Sequence, residues 1–253
     1  MLKSRLRKVF EGFIKPFRRF FPNRTEYGYF HALCETSSKG GDIKVSTSQC
    51  GEDLIIQYIF KCRGLLDISY LDIGAHHPYF LNNTAIFYAS GSRGINIEAN
   101  PDLITAFNKE RPNDINLNVA VSTYDGISTL CIPQDSLTLS SLDSQSLDLV
   151  SEKIDSIQVP CLTLNSVIDK YMMGRCPDLL CIDVEGGELS ILKQISSLRC
   201  LPKVICAETI SYSLSGRGVK NNDIKNLLLA MGYIVYADTN INTIFVLEDF
   251  WSR

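Results

Sequence analysis

From residue 69 onward, short β-rich runs alternate with stretches of helical periodicity. Such alternation predicts βαβ units, and therefore a doubly wound α/β fold whose mostly parallel sheet is covered by helices on both faces. The predicted strands are Tyr70–Ile73, Gly94–Ile97, Ile115–Val121, Ser128–Ile132, Leu179–Asp183, Val204–Ala207, Ile234–Ala237 and Thr243–Leu247. The predicted helices lie near residues 83–90, 101–110, 187–196 and 221–231.

The two ends of this region differ from the alternating pattern. The segment from Ser48 to Cys62 predicts a largely buried helix, with Ser48 as its N-cap and two acids in its first turn. The last two strands are joined by a short polar turn, 238–242, which predicts an antiparallel hairpin at the sheet edge. Residues 133–160 are rich in Ser, Asp and Leu and are interpreted as a loop near the mouth of a site.

Charge separates the N-terminus from the rest of the chain. Residues 1–24 have eight basic residues and one acid, a net charge of +7, whereas the whole chain has −3. Residues 1–21 predict a basic amphipathic helix, disturbed near Pro16, which either contacts an anionic membrane surface or packs on protein. Residues 22–45 read as a linker, so 1–45 form an N-terminal region and 46–253 the domain. The acidic body argues against nucleic acid as a partner.

The cysteine pattern indicates the redox state of the compartment in which the chain folds. Nine scattered cysteines without a CxxC pair give no support for a zinc site, and no metal site is predicted. Several lie in apolar runs, where cysteine acts as a small hydrophobic residue. We therefore expect a reducing cytoplasm, with the N-terminal helix placing the protein at the inner face of the membrane.

The strongest chemical signal is YLDIGAHHP, at residues 70–78, where a buried strand runs into Asp72 and Gly74. In open α/β sheets, ligands bind at the carboxyl ends of the strands. A full GxGxxG fingerprint is absent because positions 76 and 79 are His and Tyr. Its absence disfavours a nicotinamide-dependent oxidoreductase, although that alternative stays open.

Three further strands end in acids or lead directly into them. RGINIEANP ends in Glu98, which a right-handed βαβ unit places beside the Gly74 turn, where it can accept hydrogen bonds from ribose hydroxyls. LLCIDVEGGE contains Asp183 and Glu185, and VICAE ends in Glu208. Asp183 is the first candidate for a general base, followed by Glu185, His77 and Glu208. Asp183 and Glu185 could alternatively hold a divalent cation, for which three close carboxylates are expected.

The chain resembles the FkbM family of class I methyltransferases over residues 46–247. The resemblance rests on SQCGED (48–53), LDIGAHHP (71–78), the Asn83-Thr84 pair, GINIEANP (94–101), NVAVS (118–122) and IDVEGGE (182–188). It implies a Rossmann-like, seven-stranded sheet, S-adenosyl-L-methionine as the cofactor, and O-methylation of a small-molecule or glycan acceptor, such as a sugar or a lipid-linked intermediate. A non-catalytic member that binds the cofactor or a glycan remains the other alternative.

The resemblance also implies roles for individual residues. The acidic motif at the start of the domain closes the pocket, the Gly74 turn approaches the methionine part, Glu98 holds the ribose, and the segment after the third strand flanks the adenine. The implied cofactor-binding residues are Glu52, Asp53, Asp72, Gly74, Ala75, His76, Glu98, Ala99, Asn118, Val119 and Ala120. The sequence has AHH after Gly74, where the family has a second motif glycine.

Overall fold

The computed structural model describes residues 44–134, 140–143, 153–210 and 218–252. The predicted helix over 1–21 and most of the linker therefore lie outside the described residues. Among the residues that are described, no helix is both long enough and apolar enough to cross a membrane.

A seven-stranded sheet forms the centre of the molecule, as predicted. Its strands, in chain order, are β1 (Ser69–Ile73), β2 (Arg93–Ile97), β3 (Ile115–Leu117), β7 (Leu179–Ile182), β8 (Val204–Glu208), β9 (Tyr233–Asp238) and β10 (Asn242–Leu247). The spatial order is β3-β2-β1-β7-β8-β10-β9. The chain runs outward from β1 in one direction and outward from β7 in the other, so the switch point lies between β1 and β7.

Helices cover both faces of this sheet, because its central strands are apolar on both sides. In β1, Leu71 and Ile73 belong to one hydrophobic cluster and Tyr70 to another on the opposite face. The helices are α1 (Glu52–Cys62), α2 (Ala85–Ala89), α3 (Pro101–Glu110), α4 (Leu164–Met172), α5 (Glu188–Leu192), α6 (Asn222–Ala230) and α7 (Glu248–Ser252), and a 3₁₀ helix, Lys193–Ser197, follows α5.

The predicted C-terminal hairpin is confirmed. Strand β10 pairs antiparallel with both β8 and β9, while the other pairs in the large sheet are parallel. The predicted N-cap of α1 is wrong, since Gly51 occupies the N-cap position in a left-handed conformation. Ser48 instead accepts a hydrogen bond from the Gly51 amide through its hydroxyl.

The predicted strand 115–121 is two strands in different sheets. β3 ends at Leu117, and β4 (Ala120–Val121) belongs to a second sheet of order β4-β6-β5, formed with β5 (Gly126–Pro133) and β6 (Ile154–Leu162). The strand is interrupted at Asn118. The side-chain amide of Asn118 donates to the carbonyl oxygens of Glu98 and Ala99, both at 2.9 Å. This tether turns the chain away from the large sheet.

The interpretation of 133–160 as a loop is wrong for residues 154–160, which belong to β6 and pair with β5. Several residues of β6 are exposed, so its apolar alternation is weak and the sequence gives little sign of a strand. Helix α4 was also not predicted. It begins after Thr163, whose hydroxyl accepts from the Ser166 amide at 3.1 Å.

The cysteines are not all thiols, contrary to the interpretation of their pattern. Cys176 and Cys200, in the loops that precede β7 and β8, form a disulfide. Cys181 and Cys206 are buried on adjacent strands, as expected for small hydrophobic residues. Because disulfides persist mainly in oxidising compartments, the pair removes the cysteine argument for a reducing cytoplasm.

Candidate functional site

A cavity of about 520 Å³ lies at the carboxyl ends of the central strands. Its volume falls within the usual range of small-molecule sites. Residues from β1, β2, the second sheet and β8 surround it, together with the turn after β7 and residues 140–143. The described lining residues are Gln49, Ile73, Gly74, His76, Leu81, Ile97, Glu98, Ala99, Leu103, Val119, Ala120, Val121, Ser122, Thr123, Leu130, Ser140, Ser141, Leu142, Asp143, Asp183, Val184, Glu185, Gly186, Gly187, Ser190, Ile191 and Glu208.

The turn after β1 and the end of β2 form one wall of the cavity. The amides of Gly74 and Ala75 donate to the Ile97 carbonyl, both at 3.0 Å, which ties the turn to β2. Gly74 has φ +78°, and a Cβ there would overlap the carbonyl oxygen of Asp183. The residue must therefore be glycine for the β1 turn and the β7 turn to meet.

Glu98 lies beside this turn, where βαβ geometry predicts it. One carboxylate oxygen accepts from the His76 amide at 2.9 Å and the other from the Asn100 amide at 2.8 Å. Burial raises the pKa of Glu98 to about 7. The carboxylate is thus fixed by main-chain donors, and it lines the cavity with acceptor capacity left for a ligand.

Asp72 does not line the cavity. Its carboxylate accepts from the Thr84 hydroxyl at 2.8 Å and from the Asn82 side-chain amide at 3.1 Å. Arg111, which is fully buried, donates to the same Thr84 hydroxyl and to Asn82. Asp72 therefore belongs to a buried polar network behind the turn, and its geometry supports the turn instead of contacting a ligand. Ala75, 2% exposed, also lies behind the cavity wall.

Glu52 and Asp53 are buried and likewise do not line the cavity. Glu52 accepts from the Thr239 hydroxyl at 2.6 Å and from the side-chain amide of Asn242 at 3.1 Å, which joins α1 to the C-terminal hairpin. Asp53 accepts from the Thr47 amide and the Ser46 hydroxyl, both at 2.7 Å. These bonds hold the segment 46–50 in place, and Gln49 of that segment lines the cavity.

The segment predicted to flank an adenine is divided between two roles. Ala99, Val119 and Ala120 line the cavity, and their small or apolar side chains suit the face of an aromatic base. Asn118 does not line it and instead fixes the turn after β2, as described above. This wall is therefore apolar, next to the carboxylate of Glu98.

The opposite wall is acidic. Asp183, Glu185 and Glu208 follow or end β7 and β8 and line the cavity together, and no Lys or Arg is among the described lining residues. Loss of hydration and the neighbouring carboxylates raise the pKa of Asp183 to about 7, of Glu185 to about 8 and of Glu208 to about 10. A hydrogen bond between Glu208 and Asp183 lowers the pKa of Asp183 and raises that of Glu208. At neutral pH, Glu208 is therefore the protonated partner, and its hydroxyl donates the hydrogen bond to the Asp183 carboxylate.

The turn after β7, which carries Asp183 and Glu185, is fixed by hydrogen bonds with Glu188 and Ser141. The Glu188 carboxylate accepts from the Val184 amide at 2.9 Å and the Gly186 amide at 3.1 Å. The Ser141 hydroxyl donates to the Glu185 carbonyl at 2.8 Å. Glu185 itself is left-handed, with φ +56°, a conformation that is rare for a residue with a side chain. The turn is thus a fixed feature of the cavity wall.

One group in the described part of the chain has the spacing of a metal site. Asp183, Glu188 and Glu208 each offer a carboxylate oxygen, all within 4.8 Å of one another. Glu185, which the sequence paired with Asp183 for a cation, is not in this group. Both carboxylate oxygens of Glu188 already accept main-chain hydrogen bonds, so Glu188 does not require an ion as a partner.

The two histidines differ in position. His76 lines the cavity, whereas His77 does not. The Nδ1 atom of His77 accepts from the amides of Tyr79 and Phe80, at 3.2 and 3.1 Å. Burial lowers the pKa of His77 to about 4. With Nδ1 engaged and its basicity low, His77 is poorly placed for the role of general base and acts in the turn.

The acidic wall predicts a dependence of stability on pH. The folded-state pKa of Glu208 is above its unfolded value of 4.5, so its contribution to stability is present below pH 4.5 and is lost as the pH rises toward 10. Glu208→Gln removes this titration. We expect the melting temperature of the variant to exceed that of the wild type by about 3 °C at pH 8, or ~1 kcal/mol, and to match it near pH 4.5.

Thermal melts followed by circular dichroism at several pH values measure this difference. Glu248→Gln, at the start of α7 and outside the cavity, is the matched control and should show no such growth with pH. A Glu208→Gln variant that is less stable than the wild type at pH 8 would contradict the prediction.

Several cavity residues were not found from the sequence. Ser140, Ser141, Leu142 and Asp143 come from the segment interpreted as a loop near the mouth of the site, which gave a location but no individual residue. Leu103 and Leu130 are apolar and look like ordinary core positions. Gln49 is part of the SQCGED motif, but the family resemblance assigns the contact with the cofactor to Glu52 and Asp53 of that motif.

The family model described as the methyltransferase FkbM domain matches residues 72–235. Many solved structures are similar to this chain, including the following three. A TehB-like SAM-dependent methyltransferase from Corynebacterium glutamicum is 13% identical, with 87% of this chain and 96% of that chain covered and a TM-score of 0.40. An O-methyltransferase from Bacillus cereus in complex with SAH is 8% identical, with coverage of 95% and 99% and a TM-score of 0.44.

The third is the fibrillarin/Nop5p complex, at 11% identity, coverage of 85% and 78%, and a TM-score of 0.35. Identities of 8–13% and TM-scores below 0.5 are too low to bear on substrate or mechanism. No curated protein matches the sequence.

Proposed function

Because the chain belongs to the FkbM methyltransferase family, we propose that residues 46–253 form a methyltransferase domain whose cavity binds S-adenosylmethionine and an acceptor hydroxyl. The observation that carries this proposal is the pairing of Glu98, fixed beside the Gly74 turn, with an acidic wall across one cavity of about 520 Å³.

The residues of the cavity fit the cofactor. A ribose has two neighbouring hydroxyl donors, and Glu98 offers two carboxylate oxygens held by main-chain amides. Ala99, Val119 and Ala120 provide the apolar surface that an adenine needs. We assign the adenosyl end to this side of the cavity.

Bound S-adenosylmethionine supplies an electrophilic methyl group, so the chain itself has to orient the acceptor and take its proton. Asp183 accepts the proton of the acceptor hydroxyl. Its pKa of about 7 suits a base at neutral pH, and the hydrogen bond from Glu208 keeps it ionised. Glu185, with a pKa of about 8, holds a proton at neutral pH and can donate a hydrogen bond to another acceptor hydroxyl.

The acceptor class follows from the charge of the cavity. Five carboxyl groups and no Lys or Arg among the described lining residues disfavour an anionic group next to Asp183. A neutral polyhydroxylated acceptor, such as a sugar or glycan, matches carboxyl groups that both donate and accept hydrogen bonds. We therefore propose O-methylation of a sugar or of a glycosylated metabolite.

Mass spectrometry of the ligand retained through purification tests the cofactor. An adenosyl sulfur compound supports the proposal, and a nicotinamide dinucleotide would replace it with an oxidoreductase. Transfer of label from methyl-labelled cofactor to a panel of neutral methyl glycosides then tests the reaction. Binding of the cofactor without transfer to any sugar or glycolipid would identify a non-catalytic member.

The basic N-terminal segment leads to a separate prediction. Its +7 charge over residues 1–24, with apolar residues near helical spacing, should bind the surface of anionic bilayers. Deleting residues 1–24 is expected to reduce binding to vesicles with 30% phosphatidylserine by about tenfold or more, at ~1 kcal/mol per basic residue near the surface.

Vesicle co-sedimentation at low and high salt measures this effect. Vesicles of phosphatidylcholine alone are the control, since they lack the negative surface charge. Equal binding of the full-length and truncated proteins would show that the segment does not contact membranes.

A further inference from the structure

Glu185 is held in a backbone conformation that residues with a side chain disfavour. Its φ is +56°, in the left-handed region, where glycine would lie without strain. Such a residue persists only where the surrounding structure holds it, and such residues are concentrated at functional sites. The conformation of Glu185 therefore needs a structural cause and a reason for keeping the side chain.

The cause is a pair of side chains that hold one peptide group at both ends. The Glu185 carbonyl accepts from the Ser141 hydroxyl at 2.8 Å. The Gly186 N–H, which belongs to the same peptide group, donates to the two Glu188 carboxylate oxygens at 3.1 and 3.2 Å. The Val184 amide donates to the same carboxylate at 2.9 Å. Rotation of the peptide group is thereby blocked, so the ψ angle of Glu185 cannot relax.

Ser141 is itself fixed and has no proton left for a ligand. Its main chain forms an antiparallel bridge with Cys131 of β5, with N–O distances of 2.9 and 3.0 Å, and the residue is buried. Its hydroxyl accepts from the Asp143 amide at 3.0 Å and uses its only proton on the Glu185 carbonyl. Ser141 therefore lines the cavity without being available as a donor, and it acts through Glu185.

The Glu185 carboxyl, in contrast, has oxygens that are available to a ligand. It lines the cavity two residues after Asp183, and it has no hydrogen bond within the part of the chain that the structure describes. A carboxyl group with a fixed main chain and unused oxygens is suited to bind a polar ligand. Because Asp183 takes the acceptor proton in the proposed function, the ligand at this position is the acceptor.

We propose that Ser141 is a positioning residue, which orients the Glu185 carboxyl toward a second hydroxyl of the acceptor and so contributes to the selection of a polyhydroxylated substrate. This inference rests on the proposed function, because Glu185 can select an acceptor only if the cavity transfers a methyl group. The link extends the acceptor site to the second sheet, because Ser141 is anchored there through Cys131.

A double-mutant cycle in steady-state kinetics tests the link. The variants are Ser141→Ala, Glu185→Ala and the double variant, assayed with labelled S-adenosylmethionine and a methyl glycoside that accepts the label. Each single variant should lower kcat/KM for the glycoside by about tenfold, while calorimetry shows the affinity for S-adenosylhomocysteine changed by less than about twofold. The double variant should also lose about tenfold, instead of the ~100-fold that independent effects would give.

Ser90→Ala is the matched control for the loss of a serine hydrogen bond. The Ser90 hydroxyl donates to the Ile86 carbonyl, also at 2.8 Å, but it lies at the end of α2 and outside the cavity. This variant should keep the wild-type kcat/KM for the glycoside.

Monodeoxy derivatives of the same glycoside identify the hydroxyl that Glu185 binds. The wild type should act on the derivative that lacks this hydroxyl about tenfold less efficiently than on the parent glycoside, as for the loss of one hydrogen bond. Ser141→Ala and Glu185→Ala should treat the two compounds within about twofold of each other. A variant that discriminates as strongly as the wild type would overturn the inference.

Crystal structures of the wild type and of Ser141→Ala separate this inference from the proposed function. The peptide group between Glu185 and Gly186 should rotate in the variant, whether or not an acceptor is known. An unchanged turn would overturn the inference, as would additive losses in the double variant or an equal loss of affinity for S-adenosylhomocysteine. A wild type that transfers label to no glycoside would refute the proposed function and, with it, the acceptor role of Glu185, while the structures would still show whether Ser141 sets the conformation of the turn.

Discussion

Replacing Glu98 with alanine is expected to weaken the binding of S-adenosylhomocysteine by about 100-fold. The carboxylate offers two acceptor oxygens to the ribose hydroxyls, and each hydrogen bond to a charged group contributes about 1.5 kcal/mol or more. The substitution also leaves the amides of His76 and Asn100 without their acceptor. Titration calorimetry measures the affinity directly and needs no acceptor substrate.

Two further variants make this result specific. Glu98→Gln keeps the shape and one acceptor oxygen, so its affinity should lie between those of the wild type and the alanine variant. Asp102→Ala removes an exposed carboxylate at the start of α3, outside the cavity, and should bind normally. An unchanged affinity in Glu98→Ala would place the ribose elsewhere and would remove the main support for the proposed site.

The second large effect is expected at Asp183. Asp183→Asn should lower kcat by about 10²–10⁴-fold, the usual contribution of a positioned base, while the affinity for S-adenosylhomocysteine changes by less than about twofold. The asparagine is nearly isosteric but cannot take a proton at neutral pH. Single-turnover and steady-state rates with labelled cofactor, on a methyl glycoside that accepts the label, measure the loss.

The pH profile provides an independent measure of the same role. With a base whose pKa is about 7, the wild-type kcat should rise as the pH increases through 7, because the ionised form is the active one. Glu185→Gln and Glu208→Gln should retain this rise in kcat with smaller losses of rate. A fully active Asp183→Asn variant would exclude Asp183 as the base.

The position of Glu98 could be predicted from the chain alone, because only local rules were needed. A strand, a helix and a parallel strand form a right-handed unit, so the end of β2 had to lie beside the end of β1. The hydrogen bond from the His76 amide to Glu98 is the result. By the same rule, the acids that follow β7 and β8 were expected at one edge of the sheet, where they line the cavity.

The face of the sheet to which the Asp72 side chain points could not be predicted in this way. Successive residues of a strand point to opposite faces, and an apolar strand buried on both sides does not reveal which face holds the ligand. The answer depends on Arg111, a buried cation 39 positions later in the chain. Its hydrogen bonds to Thr84 and Asn82 form the network that holds Asp72 behind the turn.

The sequence by itself determined that β2 lies beside β1, that the last two strands form a hairpin, and at which edge of the sheet the polar residues collect, since each depends on neighbours within one βαβ unit or one turn. Only the tertiary structure decided which acids face the cavity, which are buried supports, and where Ser141 fixes the Glu185 carbonyl. Those outcomes depend on contacts between distant segments, and such contacts form only when the second sheet and the helices pack against the first.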